Sequence, residues 1–367
     1  MARKHKLLPR IDRNIARANT LPGKAYSSET LFDLMKERVF VPSWQWVGNE
    51  RDLPEGTGVF PVEFMPELLD EPLMFSRDND GKTHLLSNVC THRGNILAKE
   101  PLPCREIRCS YHGRRFELDG TFKHMPHTKG MEDFPSKCDH LPSVSFENWH
   151  GLLFASLEPS MDFETFVSGM NPWIKSFPLD KMEYDASMSK TYTINAHWAL
   201  YCDNFLEGFH IPFVHPGLTQ TLDVAQYETH LLEEGVLQTG IAKSGERAFV
   251  LPESSPDFGK QVAAYYFWLF PNIMFNFYPW GLSMNVVYPL AVNKTRIDFH
   301  TYVWDASLMN QGAGADLHQT EMEDEEVVES VERGVRSRLY KHGRFSPAME
   351  QGVHHFHRML TKCVNAT

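Results

Sequence analysis

Two short stretches, Cys90-Thr91-His92-Arg93-Gly94 and Cys109-Ser110-Tyr111-His112-Gly113, decide how the first half of this chain folds and what it holds. Each offers one thiolate and one imidazole in a tight loop closed by glycine. A structural zinc site groups its cysteines in one knuckle and its histidines in another. Mixed pairs fit a two-iron cluster instead, in which one iron takes both cysteines and the other both histidines. Replacing two thiolates by neutral imidazoles lifts the reduction potential above that of four-cysteine clusters, which suits an electron relay. The glycines let the backbone turn closely and point amides at the sulfurs. Cys90, His92, Cys109 and His112 are therefore the expected ligands of a [2Fe–2S] centre of the Rieske arrangement. Cys104, Cys138, Cys202 and Cys363 have no such partners, and six cysteines in 367 residues are too few for a disulfide scaffold.

Around these loops, from about Trp44 to Glu158, the texture is of short strands separated by turns: Gly58-Val59-Phe60-Pro61-Val62, Leu73-Met74-Phe75-Ser76, His84-Leu85-Leu86-Ser87 and Gly151-Leu152-Leu153-Phe154, with Asp78-Asn79-Asp80-Gly81 and Asp119-Gly120 between. Ahead of this β module, Ser27-Ser28-Glu29-Thr30 opens a helix carrying Leu31, Leu34, Met35 and Val39 at helical spacing. Beyond Pro159 helices alternate with longer strands at Val262–Phe270, Ile273–Tyr278, Ser283–Tyr288 and Thr295–Val303, and a long helical pattern runs from about Asp316 to Lys341. The chain is thus expected to be α+β with two domains. Its net charge of −11 argues against nucleic-acid binding and agrees with a cationic substrate. It has no uninterrupted apolar run long enough to span a membrane, and its N-terminus lacks an apolar signal core, so a cytoplasmic location is expected. The basic start, Arg3, Lys4, Lys6, Arg10, Arg13 and Arg17, faintly resembles an organelle transit peptide, but it is poor in serine and leads into a helix.

A second constellation lies in Asp203-Asn204-Phe205-Leu206-Glu207-Gly208-Phe209-His210-Ile211-Pro212-Phe213-Val214-His215. On one continuous helix Asp203, Glu207 and His210 would form a single polar stripe, and a break at Pro212 would swing His215 back beside His210. Two histidines so placed suit a divalent metal and need a carboxylate to complete a 2-His-1-carboxylate triad. The last long helix supplies Asp324, set in the middle of a face made by Val327, Val328, Val331, Val335 and Leu339, with Glu323, Glu325, Glu326 and Glu329 turned sideways or outward. A carboxylate on an apolar face must be paired or metal-bound. Glu321, at the edge of that face, is the second choice of ligand. Glu207, one turn before His210, is expected to bond the His210 ring and to accept from a histidine of the cluster, coupling the two metals.

These motifs, in this order and over nearly the whole length, resemble the α (oxygenase) subunit of Rieske non-haem iron oxygenases, most closely the choline and carnitine monooxygenase branch. The resemblance rests on the two Cys–His pairs, on Cys202 through Glu207, on His210-Ile211-Pro212-Phe213-Val214-His215, on Glu329-Ser330-Val331-Glu332-Arg333-Gly334 after Asp324, and on Glu350 through His357. It implies an α+β architecture: an N-terminal helical arm (1–42) packing on the catalytic domain, a Rieske β-sandwich (43–158), and a helix-grip catalytic domain (159–367) whose curved antiparallel sheet holds a C-terminal helix. It implies a mononuclear Fe(II) on His210, His215 and Asp324, catalytic roles for Glu207 and Asp203, and a homotrimer passing electrons between subunits across Glu207. O2 and a small substrate would be the reactants. Two departures stand out: Glu207 where the bridging residue is usually Asp, and Arg114 where the family commonly carries Trp. Arg114 with Arg93, Lys99 and Arg115 could form a docking surface for an acidic electron donor, or be solvated loop charge.

No glycine-rich dinucleotide fingerprint follows a strand, so NAD(P)H and flavin are expected on a separate reductase or ferredoxin partner. The aromatic run Tyr265, Tyr266, Phe267, Trp268, Phe270, Phe275, Phe277, Tyr278 and Trp280 offers a cage for a quaternary ammonium or N-methylated substrate, with only alternate residues facing a pocket. Hydroxylation or oxidative demethylation of such a substrate is the expected reaction. Ring hydroxylation of an aromatic or terpenoid substrate is the alternative, and a non-catalytic Rieske electron-transfer protein is a third reading.

Overall fold

The computed structural model describes residues 7–366, and the chain divides into two compact units, Val41–Ser160 and a second made of the N-terminal segment up to Phe40 with Met161 onward. Arg3, Lys4 and Lys6 of the basic N-terminus lie outside the described residues.

The first unit is all β. Its strands are β1 (Gln45–Asn49), β2 (Gly58–Phe64), β3 (Glu71–Arg77), β4 (Thr83–Ser87), β5 (Leu102–Pro103), β6 (Ile107–Arg108), β7 (Arg115–Phe116), β8 (Phe122–His124), β9 (Ser145–Trp149) and β10 (Leu152–Ser156). They form three small sheets in the orders β1-β10-β9, β4-β3-β2-β5 and β6-β7-β8. Apolar side chains from the second and third sheets meet in one core that includes Val59, Met74, Leu86, Ile107 and Phe116, and the thiols of Cys90 and Cys109 sit in that core. The two Cys–His loops are therefore fixed at their cysteine ends by burial, while the histidines two and three residues on reach the surface.

The second unit is built on a seven-stranded antiparallel sheet of β11 (Glu183–Ile194), β12 (Glu228–Leu231), β13 (Gly235–Ile241), β14 (Val262–Leu269), β15 (Ile273–Tyr278), β16 (Gly281–Ala291) and β17 (Lys294–Val303), ordered β11-β17-β16-β15-β14-β13-β12. Five helices matter for the site: α1 (Glu29–Met35), α2 (Trp198–Phe205), α3 (Ile211–Val214), α4 (Leu317–Val335) and α5 (Gln351–Val364). Ser28 caps α1 by accepting from the Leu31 amide, as the sequence predicts. The central strands β13–β16 are buried on both faces, so they read as nearly continuous apolar runs. Tyr265, Phe267 and Phe277 pack on one face around Phe177 and Trp173. On the other, Trp268 packs on Phe356 of α5 with ring centroids 5.1 Å apart.

The long C-terminal helix ends at Val335 rather than near Lys341, and Val331 and Leu339 are 42% and 91% exposed. Its inward stripe is Glu321, Asp324, Val328, Glu332 and Val335, spaced three or four residues apart. Three acids share it because each has partners, so the apolar count alone misjudges where the face points.

Candidate functional site

The expected single helix through Asp203, Glu207 and His210 is not formed. α2 stops at Phe205, and Glu207–His210 is an open turn. Pro212 does not break a helix; it stands in the first turn of α3, where its missing N–H costs nothing. The turn is held by Glu207, whose Oε2 accepts from the amides of Phe209 and His210, so this acid caps the entry to α3. Gly208 allows the bend: a Cβ there would lie 2.7 Å from the Tyr227 ring.

The turn and α3 bring His210 and His215 together, their Nε2 atoms 3.2 Å apart. From α4, Asp324 Oδ1 comes within 3.1 Å of His215 Nε2 and 3.5 Å of His210 Nε2. Among the described residues this is the one trio of ligand-type atoms that converges so closely. Three donors sharing one face of an octahedral first-row ion with bonds of about 2.1 Å stand about 3.0 Å from one another, so the trio fits a divalent metal. The rings are aimed from behind. His210 Nδ1 bonds Glu207 Oε1 at 2.7 Å, and His215 Nδ1 bonds Glu323 Oε2 at 2.7 Å. With both Nδ1 protons given to carboxylates, both Nε2 lone pairs face the gap. Asn204 Nδ2 donates to Asp324 Oδ1 at 2.6 Å and fixes the third donor. Burial alone would lower the His215 pKa, but its bonds to Asp324 and Glu323 outweigh it and hold the pKa above the ordinary histidine value. That excess negative potential is what favours a cation here.

Glu323 was not legible as a partner, since its place off the apolar face suggests solvent. Glu329 and Glu332, on the same helix, likewise find partners: Glu329 accepts from the amide and side chain of Asn195, and Glu332 accepts from the His197 amide and Arg336. Glu321 is not part of the donor trio. Its Oε2 accepts from the Tyr201 hydroxyl at 2.7 Å, its Oε1 is buried with no partner, and burial, aided by the nearby Asp324, drives its pKa well above the carboxylate range. Asp203 turns away from the metal trio: it accepts from the Tyr26 hydroxyl at 2.8 Å and bonds His357 at 2.8 Å, tying α2 to the N-terminal segment and α5. The catalytic role expected of it has no support in this placement.

A cavity of about 100 Å³ opens onto the trio. Its sheet wall is one row across four strands, Gln238, Tyr266, Asn276 and Ser283 standing opposite one another on β13–β16. Of the aromatic run, only Tyr266 and Tyr278 line it. Tyr265, Phe267 and Phe277 fall on the opposite face as strand alternation requires, Trp268 lies under α5, and Trp280 stacks behind Tyr278. Tyr227, from outside the run, completes an aromatic corner, stacked 6.5 Å from Tyr266, which meets Tyr278 edge-on at 6.0 Å. Carboxylates of Glu207, Glu321 and Asp324 line the cavity, and no Lys or Arg does.

In the other unit, the residues that could hold a two-iron cluster come together as expected. Cys90 and Cys109 are free, buried thiols. The His92 and His112 rings lie 4.7 Å apart. Gly94 and Gly113, at φ +69° and +71°, make the turns. Each turn is closed by the glycine amide donating back to the cysteine carbonyl. Burial would raise the Cys109 pKa, yet the amides of Tyr111 and His112 with Asn95 bring it below the ordinary thiol value, whereas burial lifts the Cys90 thiol above it. Burial, with the nearby charges of His112 and Arg114, lowers the His92 pKa and keeps that imidazole neutral. Two buried cysteines and two imidazoles at the surface suit the Rieske ligand chemistry. Arg114 departs from expectation: it is 2% exposed and paired with Asp139, so it cannot be docking charge, whereas Arg93 and Lys99 are exposed.

The fold and the two ligand sets describe an iron oxygenase of the Rieske class. The chain belongs to this family: residues 43–135 match the Rieske [2Fe-2S] domain and residues 179–366 the catalytic domain of the ring hydroxylating alpha subunit. It is accordingly an oxidoreductase that depends on a Rieske cluster, a mononuclear iron, O2 and a partner reductase. Among its relatives are choline monooxygenase of Arabidopsis thaliana, 30% identical with 97% of this chain and 86% of that protein covered, and the carnitine monooxygenase oxygenase subunit of Escherichia coli K12, 28% identical with 95% of both covered. The fold is shared with the solved structure of a quaternary ammonium Rieske monooxygenase, at a TM-score of 0.75 and 22% identity over 97% of this chain and 99% of that one. No helix among the described residues is long and apolar enough to cross a membrane.

Proposed function

We propose that the chain is the oxygenase component of a monooxygenase that hydroxylates or oxidatively demethylates a small quaternary ammonium or N-methylated cation. The cavity wall carries this reading: an aromatic corner of Tyr227, Tyr266 and Tyr278 faces three carboxylates, with no basic side chain among the lining residues. Ring faces attract a cation that cannot donate hydrogen bonds by roughly 0.5–2 kcal/mol each, and the carboxylates of Glu207 and Asp324, unlike the buried Glu321, supply the opposite charge. The choline and carnitine enzymes to which the chain is related act on such cations. The reaction balances as one C–H bond, O2, two electrons and two protons giving C–OH and water.

Cys90, His92, Cys109 and His112 hold the cluster, and His210, His215 and Asp324 hold the iron. When bound, the cluster supplies a stored electron and Fe(II) supplies O2 activation. Glu207 grips the His210 ring and is itself 14% exposed, beside Phe209 and Phe213, which are 46% and 79% exposed. Through Glu207, the cluster histidines of a neighbouring copy in a homotrimer would pass the second electron to the iron site. The solved relative is described in terms of inter-subunit electron transfer. NAD(P)H and flavin belong to the separate reductase. The four cysteines outside the cluster set, Cys104, Cys138, Cys202 and Cys363, are free thiols, which suits a reducing, cytoplasmic setting.

Oxygen uptake by the reduced protein, screened against choline-type cations, zwitterionic betaines and aromatic hydrocarbons, tests the substrate class. Uptake and product with N-methylated cations alone supports it, and uptake with the hydrocarbons alone overturns it. Glu207→Gln should keep both metals yet stop single-turnover oxidation of the reduced cluster, and normal turnover would remove the bridging role.

A further inference from the structure

Arg114 is an oddity that the proposed reaction leaves unused: a guanidinium buried in the core beneath the cluster loops. Its Nη2 donates to Asp139 Oδ1 at 2.7 Å and to the Asp139 carbonyl at 3.0 Å. Its Nη1 meets Met125 Sδ at 3.6 Å, and its Nε is buried without a partner. The guanidinium carbon lies 4.7 Å from the ring centroid of Phe122, with Phe116 and Phe134 at 5.6 and 5.7 Å. The pair reaches both ligand loops. The Arg114 carbonyl accepts from the Cys109 amide at 2.8 Å, and the Asp139 carbonyl accepts from the hydroxyl of Thr91, next to Cys90, at 2.9 Å.

Packing alone does not explain a charge here, since an apolar side chain among three phenylalanines would avoid the desolvation that a buried cation suffers. The two charges also do not cancel evenly. Arg114 is 3% exposed and Asp139 17%, and the second Asp139 oxygen is engaged by the Ser136 amide and hydroxyl, so water and that loop screen the carboxylate more than the guanidinium. The excess positive field falls on the ligand loops, to which the pair is joined through the Cys109 amide and the Thr91 hydroxyl. A cluster with two thiolates and two neutral imidazoles is neutral when oxidised and carries one negative charge when reduced. A fixed neighbouring cation in a low-dielectric core therefore favours the reduced form, and a fixed anion opposes it.

We propose that Arg114 is a positioning residue that sets the reduction potential of the cluster upward through its buried charge, with Asp139 holding it in place and partly offsetting it. The proposal rests on the ligand set assigned above. It is tested on the full-length, cluster-loaded protein by dye-mediated redox titration at one pH, alongside iron and sulfide content and the absorption and paramagnetic spectra of the cluster. Arg114→Gln should shift the midpoint potential downward, Arg114→Lys should leave it near the parent value, and Asp139→Asn should shift it upward. A merely structural pair would move Arg114→Gln and Asp139→Asn in the same direction, and that result, or an unchanged potential in Arg114→Gln with its spectrum intact, overturns the proposal. If Arg114→Gln fails to take up the cluster, Asp139→Asn decides alone: a potential at or below the parent value is refuting, and one above it is supporting. Cys90→Ala separates the two levels, because a cluster spectrum retained in that variant would refute the ligand set itself.

Discussion

The carboxylate behind His215 is the clearest place to test how the iron site is built. Glu323 accepts the His215 Nδ1 proton at 2.7 Å while its other oxygen takes the Gln319 amide at 2.9 Å, so the residue is held on both sides and the ring cannot rotate freely. Glu323→Gln keeps an acceptor for the ring but removes the charge. Hydrogen bonds to charged groups contribute about 1.5–3 kcal/mol and neutral ones about 0.5–1.5, so roughly 1–1.5 kcal/mol is lost from the bond alone. The imidazole also becomes a weaker donor, and outer-shell losses of this kind weaken metal binding about 10–100-fold. Iron affinity should therefore fall about tenfold or more, equivalent to about 1.4 kcal/mol or more. Chelator competition under anaerobic conditions measures this, with the cluster absorption as an internal control in the separate β unit. Unchanged iron affinity in both Glu323→Gln and Glu323→Ala would refute the claim that this acid supports the ligand, whatever the activity.

Three further outcomes follow from the packing. In Gly352→Ala the new Cβ would stand 2.3 Å from the Leu206 carbonyl, where α5 crosses the end of α2, so a loss of about 1–3 kcal/mol is expected in urea unfolding. Tyr201→Phe leaves the buried Glu321 carboxyl without its hydroxyl partner and should cost about 1–3 kcal/mol in the same assay. His197, buried, accepts from the Ala199 amide at the start of α2, and burial presses its pKa down to about 3. The unfolded chain then binds the extra proton between that value and its ordinary one near 6.5, so this contribution is full above pH 6.5 and is lost as the pH falls. His197→Asn, which keeps a capping acceptor, should flatten the acid slope of stability by about 1.4 kcal/mol per pH unit between pH 6 and 4.

The cluster loops could be read from the sequence because their chemistry is local: ligand, spacing and turn glycine sit within five residues, and strands such as Ile273–Tyr278 follow from short apolar runs bounded by turns. The iron trio was reachable only by joining two distant segments, and it was found through Asp324 standing where an unpaired acid should not. What the pattern could not show is partnership. A helical wheel places Glu323 outside because it has no view of His215 approaching from α3, and it merges Glu207 with a helix that ends two residues earlier. Tyr227 escaped because it lies on a short connection ahead of β12, where neither spacing nor composition marks a cavity wall. Arg114 looks like surface charge in a basic loop until the three phenylalanines around it are seen.

The joining of the two described chain ends has a practical side. Asn365 accepts the amides of Leu7 and Leu8 through its side chain and returns a bond to the Leu8 carbonyl, while Arg38 donates to the Val364 and Ala366 carbonyls. Ends so close are bridged by a short linker, and the chain becomes a candidate for circular permutation with new termini in an exposed loop. A permuted enzyme opened at the turn Asp78–Gly81 would present the β unit in two covalent pieces of sequence while leaving His210, His215 and Asp324 on one uninterrupted stretch, so a reporter could be fused within the β unit without cutting the chain between the iron ligands.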